Sequence, residues 1–115
     1  MTPVADPEPV RELNWSARTR EAVRGGMRDV VNAPGGTGKH AKLKQVVVAA
    51  KTGTAEVGRK EEGRKHVWMM AFAPFDAPRF ALAMVVEEGD SGGGTVGPRV
   101  GRLLEGIFTE AEADG

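Results

Sequence analysis

Val46-Val47-Val48-Ala49-Ala50-Lys51-Thr52-Gly53-Thr54-Ala55-Glu56 is the stretch on which the fold of this chain turns. A Val-rich apolar run bounded by polar turns is the pattern of a buried β-strand, so the spacing predicts a strand carrying Lys51-Thr52-Gly53-Thr54 at its exposed end. Alternation along a strand places Thr52 and Thr54 on one face, where both hydroxyls can bond one carboxylate, with the charge of Lys51 close by. Gly53 has no side chain, so a ligand can lie along the backbone there. A cation and two hydroxyls around a glycine form a seat for an anion. Taken alone, the stretch also fits a plain strand end beside a solvated turn.

Two further strands are expected downstream. His66 to Phe72 alternates His66, Trp68, Met70 and Phe72 against Val67, Met69 and Ala71. Arg79 to Glu87 alternates Phe80, Leu82, Met84 and Val86 against Ala81, Ala83 and Val85. Both are period-two patterns, with Pro74 to Pro78 as the turn between them. The run Arg59-Lys60-Glu61-Glu62 with Arg64-Lys65 has mixed sign and little aromatic interleaving, which favours a solvated hairpin loop over a nucleic-acid patch. Three strands with short connections predict an antiparallel meander. Trp68, Met69, Met70 and Phe72 are assigned to its core rather than to a ligand box.

Helices flank these strands. Val23, Met27, Val30 and Val31 fall at i, i+4, i+7 and i+8, one stripe of a helix capped by Asn14 or Ser16. Gly25 and Gly26 interrupt it, each at about 1 kcal/mol against Ala, and a close backbone approach to a neighbouring element is the expected reason. Ala33-Pro34-Gly35-Gly36-Thr37-Gly38-Lys39-His40 then acts as a connector. A Walker phosphate loop would need Gly where Ala33 stands, Ser or Thr where His40 stands, and a preceding strand. Past the turn at Ser91-Gly92-Gly93-Gly94, the residues Val96, Val100, Leu103, Leu104, Ile107 and Phe108 mark an amphipathic helix, with Thr95 as its N-cap and Pro98 in its first turn. Its stripe should lie across one face of the meander, with the first helix over the other face or an edge. The expected class is α+β: a three-stranded antiparallel sheet with N- and C-terminal helices packed on it. Residues 1–13, with Pro3, Pro7 and Pro9 among acids, read as an extended lead-in, and 110–115 as an acidic tail.

Composition narrows the functions. With 115 residues there is room for one core. Lys plus Arg and Asp plus Glu are 16 each, so no net field recruits nucleic acid or an anionic membrane. The absence of Cys excludes disulfides, thiolate catalysis and cysteine metal sites. His40 and His66 are the only histidines and no acid stands at metal-ligand spacing from either, so no metal is expected; His66 should pack against Trp68 or face solvent. Glu87, Glu88 and Asp90 read as a surface strand end rather than an acid–base pair. No apolar run approaches the roughly 18 residues of a membrane helix, and Met1 to Pro9 does not read as a secretory signal.

Lys-Thr-Gly belongs, with Ser-x-x-Lys and Ser-Asp-Asn, to the signature of penicillin-binding proteins and class A β-lactamases. Met27-Arg28-Asp29-Val30-Val31, Gly36-Thr37-Gly38, His66 to Pro74 and Ala81 to Glu87 stand around it in order. As a set over residues 20 to 108, they resemble the C-terminal half of the transpeptidase domain of class B penicillin-binding proteins, the elongation-type enzymes above all. The resemblance implies a penicillin-binding/β-lactamase-like fold, with residues 14–109 as its C-terminal portion. It also implies that Thr52 and Thr54 hold the terminal carboxylate of a peptidoglycan stem peptide or a β-lactam, beside Gly53. Lys51 would join the catalytic hydrogen-bond network, the Thr54 N–H would give one oxyanion-hole donor, and no cofactor would be needed. The family is anchored in the inner membrane with its catalytic domain outside, and a membrane glycosyltransferase is a possible partner of such a parent protein.

The chain departs from that pattern in one respect. Its only serines, Ser16 and Ser91, are followed three residues later by Thr19 and Gly94, so it contains neither Ser-x-x-Lys nor Ser-x-Asn. A C-terminal fragment without its own nucleophile is therefore expected, inactive alone and completed by the missing N-terminal part of the domain. The alternative is a free-standing noncatalytic module that binds a peptide or protein.

Overall fold

The computed structural model describes the backbone of residues 4–114 and the side chains of residues 4–110. In chain order it comprises helix α1 (Ala17–Asn32), strands β1 (Ala49–Glu56), β2 (Lys65–Ala73) and β3 (Phe80–Val86), and helix α2 (Gly97–Asp114). The strands form one antiparallel sheet in the order β1-β2-β3, so β1 and β3 are its edges. Residues 4–15 have no regular structure. This is the α+β meander the alternation predicts, with a helix at each end of the chain.

Local chemistry sets the element ends. Ser16 caps α1 by accepting a hydrogen bond from the Thr19 amide at 3.1 Å. At the other end Ala33 turns extended ahead of Pro34, as a residue before proline must. Asn32 Nδ2 then donates to the carbonyl of Val48 at 2.9 Å, tying the helix end to the approach of β1. Thr95 does not cap the second helix; Ser91 does. Its side chain accepts from the Gly94 amide at 2.9 Å and opens a π-helical turn, Gly92–Val96, that runs into α2. The Thr95 hydroxyl instead accepts from the amides of Asp90 and Ser91.

The core lies between the sheet and α2. Val67, Met69, Ala71 and Ala73 of β2 and Ala50 of β1 are buried against Val96, Val100, Leu104 and Phe108, with Val31 and Val48 joining them. Phe80, Leu82, Met84 and Val86 of β3 close the same face. Full burial of each large aliphatic is worth about 1.5–3 kcal/mol. Phe80 meets Phe108 edge-on at 5.6 Å between ring centres, which fixes α2 against β3.

The opposite face is only partly covered. Helix α1 packs along β1, and its Arg24 guanidinium lies 4.7 Å from the centre of the Phe75 ring while donating to the Phe75 carbonyl. Trp68 and Met70 project on this side at 37% and 49% exposure, and Val85 at 61%. Assigning Trp68 and Met70 to the core is thus corrected: of that cluster Met69 is buried and Phe72 half-buried, because one helix cannot span three strands. The close approach expected at Gly25 and Gly26 is also absent, with nothing within 4 Å of a Cβ at either.

Candidate functional site

Lys51 to Thr54 lie in the middle of β1 rather than at its end, because the strand begins only at Ala49. Val46 to Val48 form its approach, where the Val47 carbonyl accepts from the Phe75 amide at 2.8 Å. The edge of β1 away from β2 carries no partner strand among the described residues. The pleat puts Thr52 and Thr54 on one side, opposite Met69 and Val67 of β2. Both line a polar groove of about 380 Å³.

Two loops complete this groove. On one side stands the connector after α1, where the Thr37 hydroxyl lies 3.1 Å from that of Thr52, with Lys39 and His40 following. On the other stand Ser91 and the glycines of the π-turn. Those glycines let the walls meet. A Cβ on Gly92 would lie 2.7 Å from the Trp68 carbonyl oxygen and 3.0 Å from that of Gly53, and one on Gly93 would collide with the Thr37 carbonyl. The Ser91 hydroxyl is engaged as the cap of the π-turn.

The structure therefore brings Thr52 and Thr54 together and separates Lys51 from them. By the same alternation Lys51 projects to the α1 side, opposite Met70, where its Nζ donates to the Thr52 carbonyl at 2.7 Å. The open space expected beside Gly53 is filled on that side by the indole of Trp68, its partner in the ladder. Open access to this strand is therefore from the threonine side, where the groove lies, or along the edge that carries no partner strand among the described residues. Sequence reasoning assigned Thr37 and Lys39 to a bare connector and Ser91 to Gly94 to a bare turn. The signal available for them was the pair of glycine runs, Gly35 to Gly38 and Gly92 to Gly94, since closely apposed backbones need such residues.

The fold is a small antiparallel sheet with a helix on each face, carrying a lysine–hydroxyl–glycine segment on an edge strand, and it matches penicillin-binding transpeptidase structures. The family model described as the penicillin binding protein transpeptidase domain matches residues 4–105, and the chain belongs to that family. Its relatives place it among homologues of class B enzymes. Peptidoglycan D,D-transpeptidase MrdA of Salmonella typhimurium is 35% identical over 105 residues, covering 80% of this chain and 17% of that protein. The MrdA of Escherichia coli is 38% identical over 101 residues, covering 76% and 15%.

Among solved structures, Pseudomonas aeruginosa PBP2 in complex with WCK 5153 matches with a TM-score of 0.72 at 31% identity, over 90% of this chain and 22% of that one. Helicobacter pylori PBP2 in its complex with MreC gives 0.60 at 35% identity, over 76% and 17%. The chain thus spans about a sixth of the length of the curated relatives it matches. No described helix is long and apolar enough to cross a membrane.

Proposed function

We propose that this chain is the C-terminal part of a peptidoglycan D,D-transpeptidase domain of the elongation type and supplies one wall of its site. Thr52 and Thr54 bind the terminal carboxylate of a D-Ala-D-Ala stem, or of a β-lactam, with the strand backbone at Gly53 alongside. The Thr54 amide is one oxyanion-hole donor, and Lys51 joins the network around a serine that this chain does not contain. In such chemistry the serine oxygen attacks the D-Ala-D-Ala carbonyl, the C–N bond breaks and the terminal D-Ala leaves as the amine, and the acyl-enzyme then passes its acyl group to an acceptor amine, which frees the serine. The observation that carries the reading is the pair of threonine hydroxyls on one side of an edge strand, lining an open polar groove.

The test is a titration of the 15N-labelled chain with N-acetyl-D-Ala-D-Ala. Two charge-assisted hydrogen bonds at about 1.5–3 kcal/mol each put the expected Kd on the order of 1 mM. Amide shifts should centre on Thr52, Gly53 and Thr54 and disappear in Thr52→Val/Thr54→Val. Shifts confined to the loop of residues 57–64, or none at all, would overturn the reading. The edge of β1, without a partner strand among the described residues, favours one second reading, a noncatalytic module that takes an extended peptide by strand addition. Equal binding of peptides with and without a terminal carboxylate would select it.

A further inference from the structure

The groove that holds the two threonine hydroxyls contains positive charge, but that charge is not on the strand. Alternation sends Lys51 to the α1 side of the sheet, where its Nζ is already bonded to the Thr52 carbonyl. The cationic side chain on the threonine side is that of Lys39, next to His40. Among the described residues no carboxylate lines this groove. Residues 30–55 contain no Asp or Glu, and among the described residues Lys39 enters no ion pair. Thr37, two positions before Lys39, touches Thr52 through its hydroxyl, so the connector is held against the strand at this point.

We infer that Lys39 is a specificity-determining residue of the site, the cation that faces the carboxylate held by Thr52 and Thr54. The inference rests on the carboxylate-binding reading and names a residue for it outside the Lys-Thr-Gly segment. An ammonium at an exposed rim is strongly screened by water and salt, so its contribution is modest. It acts on the charged ligand alone.

The experiment compares N-acetyl-D-Ala-D-Ala with its C-terminal amide on the full chain, following the Thr52 and Thr54 amides by NMR at low and high salt. Lys39→Gln should weaken binding of the acid about threefold to fivefold and leave the amide unchanged. Lys39→Arg should restore it, and the loss should shrink at 0.5 M salt on a screening length of about 4 Å. If Lys39→Gln binds the acid as the native chain does while Thr52→Val/Thr54→Val abolishes binding, the inference fails and the carboxylate reading stands. The same holds if Lys51→Gln alone removes the preference for the acid. If no variant changes the titration, both fail together.

Discussion

The indole of Trp68 occupies the place that a Cβ on Gly53 would need, and Gly92 closes on the backbone of Gly53 from the other side. The glycine of the Lys-Thr-Gly segment is therefore the middle of three layers. A methyl at Gly53 displaces a ring that is only partly buried, so the expected cost of Gly53→Ala is about 1–3 kcal/mol. Trp68→Ala removes the obstacle along with its packing. In urea unfolding, Gly53→Ala should therefore cost less in the Trp68→Ala background than in the native one, with a coupling of at least about 0.5 kcal/mol. Additive effects would mean that the ring does not hold the strand in this way.

Glycines elsewhere differ in what a side chain would meet. Gly25 and Gly26 sit in α1 with nothing near a Cβ, so Gly25→Ala and Gly26→Ala should each stabilise the chain by about 0.5–1 kcal/mol. Gly93 abuts the Thr37 carbonyl, and Gly93→Ala should destabilise by about 1–3 kcal/mol. Thermal unfolding of the three variants should give two upward shifts and one downward shift.

These contrasts show what the sequence could express. Period-two alternation in His66 to Phe72 and Arg79 to Glu87 sufficed for the meander, because register partners and side-chain faces follow from it directly. Val100, Leu104 and Phe108 of the expected stripe likewise gave the buried face of α2, with Val96 buried in the turn before it, whereas Leu103 is 45% exposed. Alternation does not say which face is covered, however, and so Trp68 and Met70 were placed inside when β2 buries its smaller side chains. The pairing of Thr52 with Thr54 was legible in the strand, whereas the expectation that Lys51 adds its charge close by is corrected, because the same period sends Lys51 to the other face. The walls were not. Thr37 and Lys39 lie 15 and 13 residues before Thr52 and Thr54 is its near neighbour, so only folding brings the connector to the strand. A glycine pattern signals that two backbones approach without naming which two.

The half-covered face has a consequence in solution. Trp68, Met70 and Val85 expose neighbouring apolar surface, and β3 offers an open edge among the described residues. Surfaces of this kind promote association. Sedimentation velocity should show the average mass rising with concentration, and Met70→Lys or Val85→Lys should suppress that rise without loss of secondary structure. A native chain that stays monomeric across the range would exclude the face as a contact surface.

Fluorescent penicillin offers the sharpest test of the missing nucleophile. Ser16 is committed to the α1 cap, its oxygen accepting from the Thr19 amide. Ser91 does line the threonine groove, which makes it the one serine that a carboxylate-anchored β-lactam could reach. Its oxygen, however, accepts from the Gly94 amide at 2.9 Å, and no Lys follows at the third position to act as base. Without activation a serine hydroxyl is a weak nucleophile, and oxyanion-hole stabilisation alone leaves only a small residual rate. The chain should therefore show no labelled band on a denaturing gel after incubation with the probe, whereas an intact penicillin-binding protein run beside it should label. A band that Ser91→Ala removes would make Ser91 a nucleophile and put the whole of the acyl-transfer site within these residues.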